Sequence, residues 1–174
     1  MPDRIIFRYN KDETTEKRFL IVRAVLQRCT HGSVTIDGKI VGEIQQGFVL
    51  LLGIQTGDTE KECDYLLDKV LRLRVFEDEA GKLNRSLLDI GGELLIVSQF
   101  TLYADCKKGR RPSFLAAARP EEAIPLYERF LAKGREQGVS VQSGVFGADM
   151  MVSIENDGPV TILLDTEELM AGKE

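Results

Sequence analysis

The chain has 174 residues, the length of one ordinary domain, and its 43% hydrophobic and 29% charged residues are typical of a globular protein. No stretch approaches the ~20 apolar residues that span a bilayer, and the N-terminus lacks the apolar run of a secretory signal, so we expect a cytoplasmic protein with no membrane partner. The formal net charge of −5 argues against general affinity for nucleic acid, because phosphate binding needs cations.

The chain divides into a short charged segment and a longer region rich in strand-forming residues. We interpret residues 1–20 as an N-terminal extension of unknown role and residues 21–174 as one domain. From residue 21 onward, short β-prone runs bounded by turn residues predict about eight strands. The predicted strands are 21–27, 33–36, 40–44, 48–54, 93–100, 139–145, 151–156 and 160–164.

Two amphipathic helices are predicted among these strands. The first begins at a capping box, Thr59-x-x-Glu62, behind which apolar residues recur at helical spacing. The second covers about 121–137, with Pro125 in its first turn and Gly138 at its end. The fold class expected from these elements is α+β, with a mainly antiparallel β-sheet that forms a barrel-like core and two helices packed on it.

The residues that usually hold metals and nucleotide cofactors are scarce. The three cysteines form no Cys-x-x-Cys pair, and His31 is the single histidine, so most zinc-hydrolase ligand sets cannot be built. Neither a dinucleotide-binding glycine fingerprint nor a phosphate-binding loop motif is present. We therefore expect no metal and no cofactor, and we interpret His31 as a surface or edge residue.

Two polar segments occur where a predicted strand ends or turns. The first ends an apolar strand and consists of Ser98, Gln99, Phe100 and Thr101. Its polar groups either face a cleft or satisfy nearby backbone groups. In the second, residues 156–161, Asp157-Gly158 is typical of a hairpin turn and Pro159 would open the next strand. Whether the Gly158–Pro159 bond is cis or trans is not decided by the sequence.

A cluster of cations follows the first polar segment. The four cations lie within five residues and are Lys107, Lys108, Arg110 and Arg111. This basic run is either a solvated turn or a local site for a phosphate backbone on an otherwise acidic protein.

Five motifs in order give the chain a resemblance to a known family. They are residues 25–28, 98–102, 108–114, 145–150 and 156–161, the last reading Asn-Asp-Gly-Pro-Val-Thr. Over residues 22–165 the chain resembles the D-aminoacyl-tRNA deacylases, also called D-tyrosyl-tRNA deacylases. The resemblance implies hydrolysis of the ester bond of D-aminoacyl-tRNA, and of mischarged glycyl-tRNA as a further substrate, with chiral proofreading by steric rejection of L-aminoacyl esters.

The resemblance also assigns roles to particular residues. It implies a homodimer with a pocket at the subunit boundary, in which Ser98 to Thr101 of one subunit face Gly158 and Pro159 of the other. Arg28 would orient the Gly-Pro segment. Phe146 and Met150 would line the site for the terminal adenosine, and the basic run would lie near the tRNA backbone.

The chemistry of the ester leaves alternatives open. An oxyanion forms during hydrolysis, and backbone N–H groups near Phe100 and Thr101 are candidate donors to it. Thr101 has no evident base, so it either acts as the nucleophile or positions water that the ribose 2′-hydroxyl assists. The alternative function is a non-catalytic nucleic-acid-binding protein on the same fold.

Overall fold

A computed structural model describes residues 21–171 of the chain. The predicted extension, residues 1–20, lies outside the described residues. The strands are β1 Arg23–Ile36, β2 Lys39–Ile44, β3 Gly47–Gly53, β4 Phe76–Glu77, β5 Leu83–Arg85, β6 Glu93–Ser98, β7 Ser140–Ser143 and β8 Met151–Asp165. The helices are α1 Glu60–Arg72, α2 Leu87–Ile90, α3 Pro120–Glu136 and α4 Thr166–Met170, and a 3₁₀ turn covers Phe100–Tyr103.

The main sheet is organised around β1. This strand pairs antiparallel with β2 and β3 along one edge and with β8 along the other, whereas β3, β6 and β7 are parallel to one another. The sheet curls until β7 approaches β2, where a Cβ on Gly42 would lie 2.7 Å from the carbonyl oxygen of Ser143. The α+β fold with a nearly closed, barrel-like sheet is therefore confirmed, and the sheet is mixed in strand direction.

Apolar side chains fill both faces of this sheet. In β3, Phe48 and Leu50 belong to the core beneath α1 and α3, whereas Val49 belongs to a second cluster inside the barrel. β6 divides in the same way, with Leu94 on the helix side and Leu95 inside. Strands buried on both faces have unbroken apolar sequences, which explains the apolar runs at residues 48–52 and 94–97.

The structure has four helices in its described part, so the prediction of two was incomplete. α1 begins at the predicted capping box, where the Glu62 carboxylate accepts a hydrogen bond from the Thr59 N–H at 3.0 Å. α2 and α4 are too short to show apolar periodicity. α3 begins at Pro120, so Pro125 lies in its second turn, and the prediction of a first-turn position was wrong. No helix within residues 21–171 is long and apolar enough to cross a membrane.

Two predicted strand pairs are in fact single long strands. Residues 21–27 and 33–36 merge into β1, and residues 151–156 and 160–164 merge into β8. The predicted hairpin turn at Asp157-Gly158 is therefore wrong. β8 pairs with β1 on both sides of residues 157–160, from Met151 to Asn156 and from Thr161 to Asp165, so the local turn preference produces an irregularity in the strand and not a reversal of the chain.

Candidate active site

A cavity of about 320 Å³ opens beside the end of β6. Its walls come from the end of β6, from the first turns of α3 and from the segment that precedes β8. Among the predicted site residues, those that line it are Ser98, Gln99, Phe100, Phe146 and Met150. The structure therefore brings together two motifs that lie almost fifty residues apart in the sequence.

The polar edge of the cavity follows directly from the end of β6. Ser98 is the last residue of the strand, and the Gln99 N–H donates to the carbonyl oxygen of Leu52 at 2.8 Å. The chain then turns into the 3₁₀ segment, and the Gln99 side-chain amide donates to the Thr101 hydroxyl. Thr101 is exposed and lies at the rim, outside the set of residues that line the cavity.

The apolar wall is held by α3 and by a close glycine contact. The ring of Phe146 meets that of Tyr127 edge-on, with centroids 5.8 Å apart, and the Tyr127 hydroxyl donates to the Ile96 carbonyl oxygen at 2.9 Å. Burial raises the pKa of Tyr127 to about 12, so its hydroxyl is a neutral donor. Met150 packs over Gly144, where an added Cβ would lie 2.4 Å from the Met150 sulfur.

Two residues in or behind this wall were not identified from the sequence. Gly144 was missed because its close contact with Met150 is tertiary. Asp149 belongs to the 145–150 motif but was not predicted as a site residue, and it is the one carboxylate among the described residues that line the cavity. No local pattern distinguishes either residue from an ordinary loop position.

The basic run forms an exposed loop next to the cavity. Two backbone hydrogen bonds between Asp105 and Ser113, of 2.7 and 2.9 Å, join the two ends of the loop. All four cations of the run are exposed. Phe114, which follows Ser113, packs edge-on against Phe100 at a distance of 5.1 Å between ring centroids. This basic loop, residues 107–111, is thus anchored to the edge of the cavity.

Gly158 and Pro159 lie elsewhere on the chain. They belong to a bulge in β8, both are exposed, and neither lines the cavity of its own chain among the described residues. Their peptide bond is cis, and Gly158 has a φ of 113°, a conformation that favours glycine. Arg28, only 6% exposed, lies under the bulge and contacts Asp157.

The single histidine is remote from this chemistry. His31 lies on β1, where its Nε2 is 2.9 Å from a carboxylate oxygen of Glu43 on β2. Neither residue lines the cavity. Within residues 21–171, no group of three or more histidine, cysteine or acidic side chains is arranged to hold a metal ion.

Comparison with known proteins identifies the family. A sequence model of the family described as D-Tyr-tRNA(Tyr) deacylase matches residues 25–165. The chain belongs to this family. D-aminoacyl-tRNA deacylase of Thermus aquaticus is 60% identical over 147 residues, which cover 84% of this chain and 97% of the relative. The Clostridium tetani enzyme of the same name is 57% identical over 148 residues, 85% of this chain and 99% of the relative.

Two solved structures share the fold of this chain. A protein named c-Myc DNA Unwinding Element Binding Protein is 45% identical, with a TM-score of 0.76 over 82% of this chain and 97% of that one. A probable eukaryotic D-amino acid tRNA deacylase has a TM-score of 0.74 at 20% identity, over 84% of this chain and all of that one, and supports the fold alone. The resemblance inferred from the sequence motifs is confirmed.

Proposed function

We propose that this chain hydrolyses the ester bond that joins a D-amino acid to the terminal ribose of tRNA, releasing the free D-amino acid and tRNA in the cytoplasm. The observation that carries the proposal is the cavity at the end of β6, where a polar strand end faces an aromatic wall in a chain of the deacylase family. Its volume, about 320 Å³, is within the range of small-ligand pockets.

The cavity has separate places for the two parts of such a substrate. Phe146 and Met150 supply flat, apolar and polarisable surface suited to the terminal adenosine. The end of β6 supplies donors for the ester. The backbone N–H groups of Phe100 and Thr101 open the 3₁₀ turn, where the first N–H groups of a helix have no acceptor inside it. They are therefore our candidates for donating to the oxyanion.

Water, and not Thr101, is our proposed nucleophile. The Thr101 hydroxyl accepts from the amide of Gln99, which is no base, and His31 is paired with Glu43. A threonine without a base is a poor nucleophile. The neighbouring 2′-hydroxyl of the ribose can assist the water, with Thr101 in a positioning role.

Variants of Thr101 and of the RNA test this assignment. We expect Thr101→Ala to keep measurable activity, and we expect tRNA ending in 2′-deoxyadenosine to be hydrolysed far more slowly than normal tRNA. Complete loss of single-turnover hydrolysis in a folded Thr101→Ala protein, with full activity on the 2′-deoxy substrate, would instead assign the nucleophile to Thr101.

A second copy of the chain is our proposed source of the Gly158–Pro159 contact. Both residues are exposed in their own chain, and β8 uses only one edge to pair with β1 among the described residues. A long strand with a free edge is suited to association with another chain. We therefore propose a homodimer in which this segment closes the partner's pocket. Mixing a pocket variant with a bulge variant should restore activity in heterodimers, whereas independent monomers would stay inactive.

Steric exclusion is our proposed basis of chirality. With the α-ammonium group and the ester fixed, exchanging the configuration swaps the side chain with the α-hydrogen. An L-side chain would then meet Gly158 and Pro159, whereas a D-side chain would point to solvent. Such a filter depends little on the identity of the side chain, and it also admits glycyl-tRNA. Strict dependence of hydrolysis on one D-side chain would contradict it.

A nucleic-acid-binding function without catalysis is the second candidate. The name of the 45% identical relative states DNA binding, and the exposed basic loop gives this chain a local positive surface. Salt-dependent binding of RNA or DNA by a protein that leaves D-aminoacyl-tRNA intact would favour this function.

A further inference from the structure

The bulge that carries Gly158 and Pro159 is not held by the strand ladder. Gln27 of β1 pairs with Thr161 and Cys29 pairs with Asn156, so the single residue Arg28 faces the four residues 157–160. A bulge of this size takes several residues out of regular pairing. Contacts other than the ladder must therefore set the direction in which the bulge points.

The side chain of Arg28 makes such contacts from below. Its Nη1 donates to the carbonyl oxygen of Val75 at 2.6 Å, and its Nε lies 2.9 Å from a carboxylate oxygen of Asp157. Its Nη2 would lie 3.2 Å from a Cβ added to Gly158. With only 6% of the residue exposed, the guanidinium has lost most of its water and depends on these partners.

Space next to this ion pair leaves the bulge without close packing on that side. A second cavity, also of about 320 Å³, is lined by both members of the pair and by Phe76, Glu77 and Arg85. On the side of this second cavity, apolar packing therefore does not fix the position of the bulge. The charge contact between Arg28 and Asp157 therefore holds the bulge on this side, in addition to the packing of Val160 on the core and the hydrogen bond from Asn156 to Thr161.

We propose that Asp157 is a positioning residue that sets the D-over-L selectivity of the hydrolysis, by tying the Gly158–Pro159 segment to the buried Arg28. The proposal rests on the proposed function and adds a residue to it. Without the Asp157 carboxylate the bulge can turn towards the second cavity, and the obstacle to an L-side chain moves away. The pocket formed by residues 98–101 is untouched by this change.

The effect on the two substrates is therefore unequal. Removing the partner of a buried charge is costly in proteins, so we expect Asp157→Ala to free the bulge and to raise the rate on L-Tyr-tRNA by about tenfold or more. The rate on D-Tyr-tRNA should stay within about threefold of the unchanged protein. Asp157→Asn keeps an acceptor oxygen but no charge, and we expect an intermediate loss of selectivity.

Asp165→Asn is the matched control on the same strand. Asp165 is also an aspartate of β8 paired with an arginine of β1, since its carboxylate lies 2.7 Å from Nε of Arg23. It lies six residues beyond Pro159, outside the bulge. This variant loses an ion pair between the same two strands, with a more exposed arginine and a carboxylate that also accepts from the Glu167 N–H, and its D-to-L ratio should equal that of the unchanged protein.

The experiment measures two quantities on the full chain and its three variants. One is the single-turnover rate on D-Tyr-tRNA and L-Tyr-tRNA, with thermal melts to confirm folding. The other is amide hydrogen exchange in the peptide that covers residues 156–161. We expect the Asp157 variants to gain L-hydrolysis and to exchange faster in this peptide than the control. The positioning role would be overturned if the Asp157 variants kept the D-to-L rate ratio of the unchanged protein, or if their rates on both esters fell together.

Failure of the proposed function gives a different result. In that case the unchanged protein cleaves neither ester, whatever happens at Asp157. Hydrogen exchange still decides whether Asp157 holds the bulge, and equal exchange in Asp157→Ala and Asp165→Asn would overturn the proposal.

Discussion

Replacing Gly144 with alanine would add one methyl group behind the wall of the cavity. The new Cβ would lie 2.4 Å from the sulfur of Met150 and 3.6 Å from a methyl carbon of Val34. Non-bonded heavy atoms pack best at about 3.5–4.0 Å, so the sulfur must move by about 1 Å or more. Because Met150 lines the cavity, this movement changes the surface proposed to hold the adenosine.

Both stability and substrate binding should respond to Gly144→Ala. Overpacking of a wall costs about 1–3 kcal/mol, although the flexible methionine keeps the cost towards the lower end. For a chain of this size each kcal/mol lowers Tm by roughly 2–4 °C. We expect KM for D-aminoacyl-tRNA to rise by about three- to tenfold, equivalent to about 0.7–1.4 kcal/mol of lost binding, with a smaller change in kcat.

Gly138→Ala is the matched control for this prediction. Gly138 follows α3 with a φ of 80°, and no atom lies within 4 Å of its added Cβ. Alanine there strains the backbone by roughly 1–2 kcal/mol without touching the cavity. Thermal melts and steady-state kinetics compare the two variants. The reasoning is refuted if Gly144→Ala loses stability but keeps the KM of the control.

Three further predictions concern binding, stability and pH. Replacing the four cations of the basic loop with alanine should lower kcat/KM and make it less dependent on salt concentration. The reason is that each phosphate contact contributes roughly 0.7–0.9 to the slope of log affinity against log salt concentration. An unchanged slope would place the RNA elsewhere. Tyr127→Phe should lower the free energy of urea unfolding by about 0.5–1.5 kcal/mol, because the Ile96 carbonyl loses one of its two donors and keeps the Gly144 N–H, and an equal unfolding midpoint would contradict this. Burial raises the pKa of Asp58 from its ordinary value to about 6. The free energy of unfolding that this carboxyl contributes therefore falls as pH rises from about 4 through 6. Thermal melts should show Asp58→Asn to be more stable than the unchanged protein at pH 8 but not at pH 4.

Local sequence signals predicted the parts of the fold that local interactions decide. The Thr59-x-x-Glu62 box located the start of α1 because both hydrogen bonds of the box lie within four residues. The apolar runs predicted β3 and β6 because strands covered on both faces need no polar side chains. The ends of β3 and β6 also line the cavity.

Long-range pairing decided the parts that the sequence misplaced. Asp157-Gly158 has the composition of a hairpin turn, but the partner of β8 is β1, more than a hundred residues earlier, and pairing with it keeps the chain running straight. The local turn preference survives only as the bulge. The roles of Gly144 and Asp157 are equally hidden, because each depends on a side chain that only the folded chain brings near.

Single-turnover hydrolysis of D-Tyr-tRNA and L-Tyr-tRNA by the purified protein tests the central claim most directly. The account predicts rapid loss of the D-ester, while the L-ester decays at its rate in buffer. A folded protein that leaves both esters intact, or that cleaves both at the same rate, would contradict it.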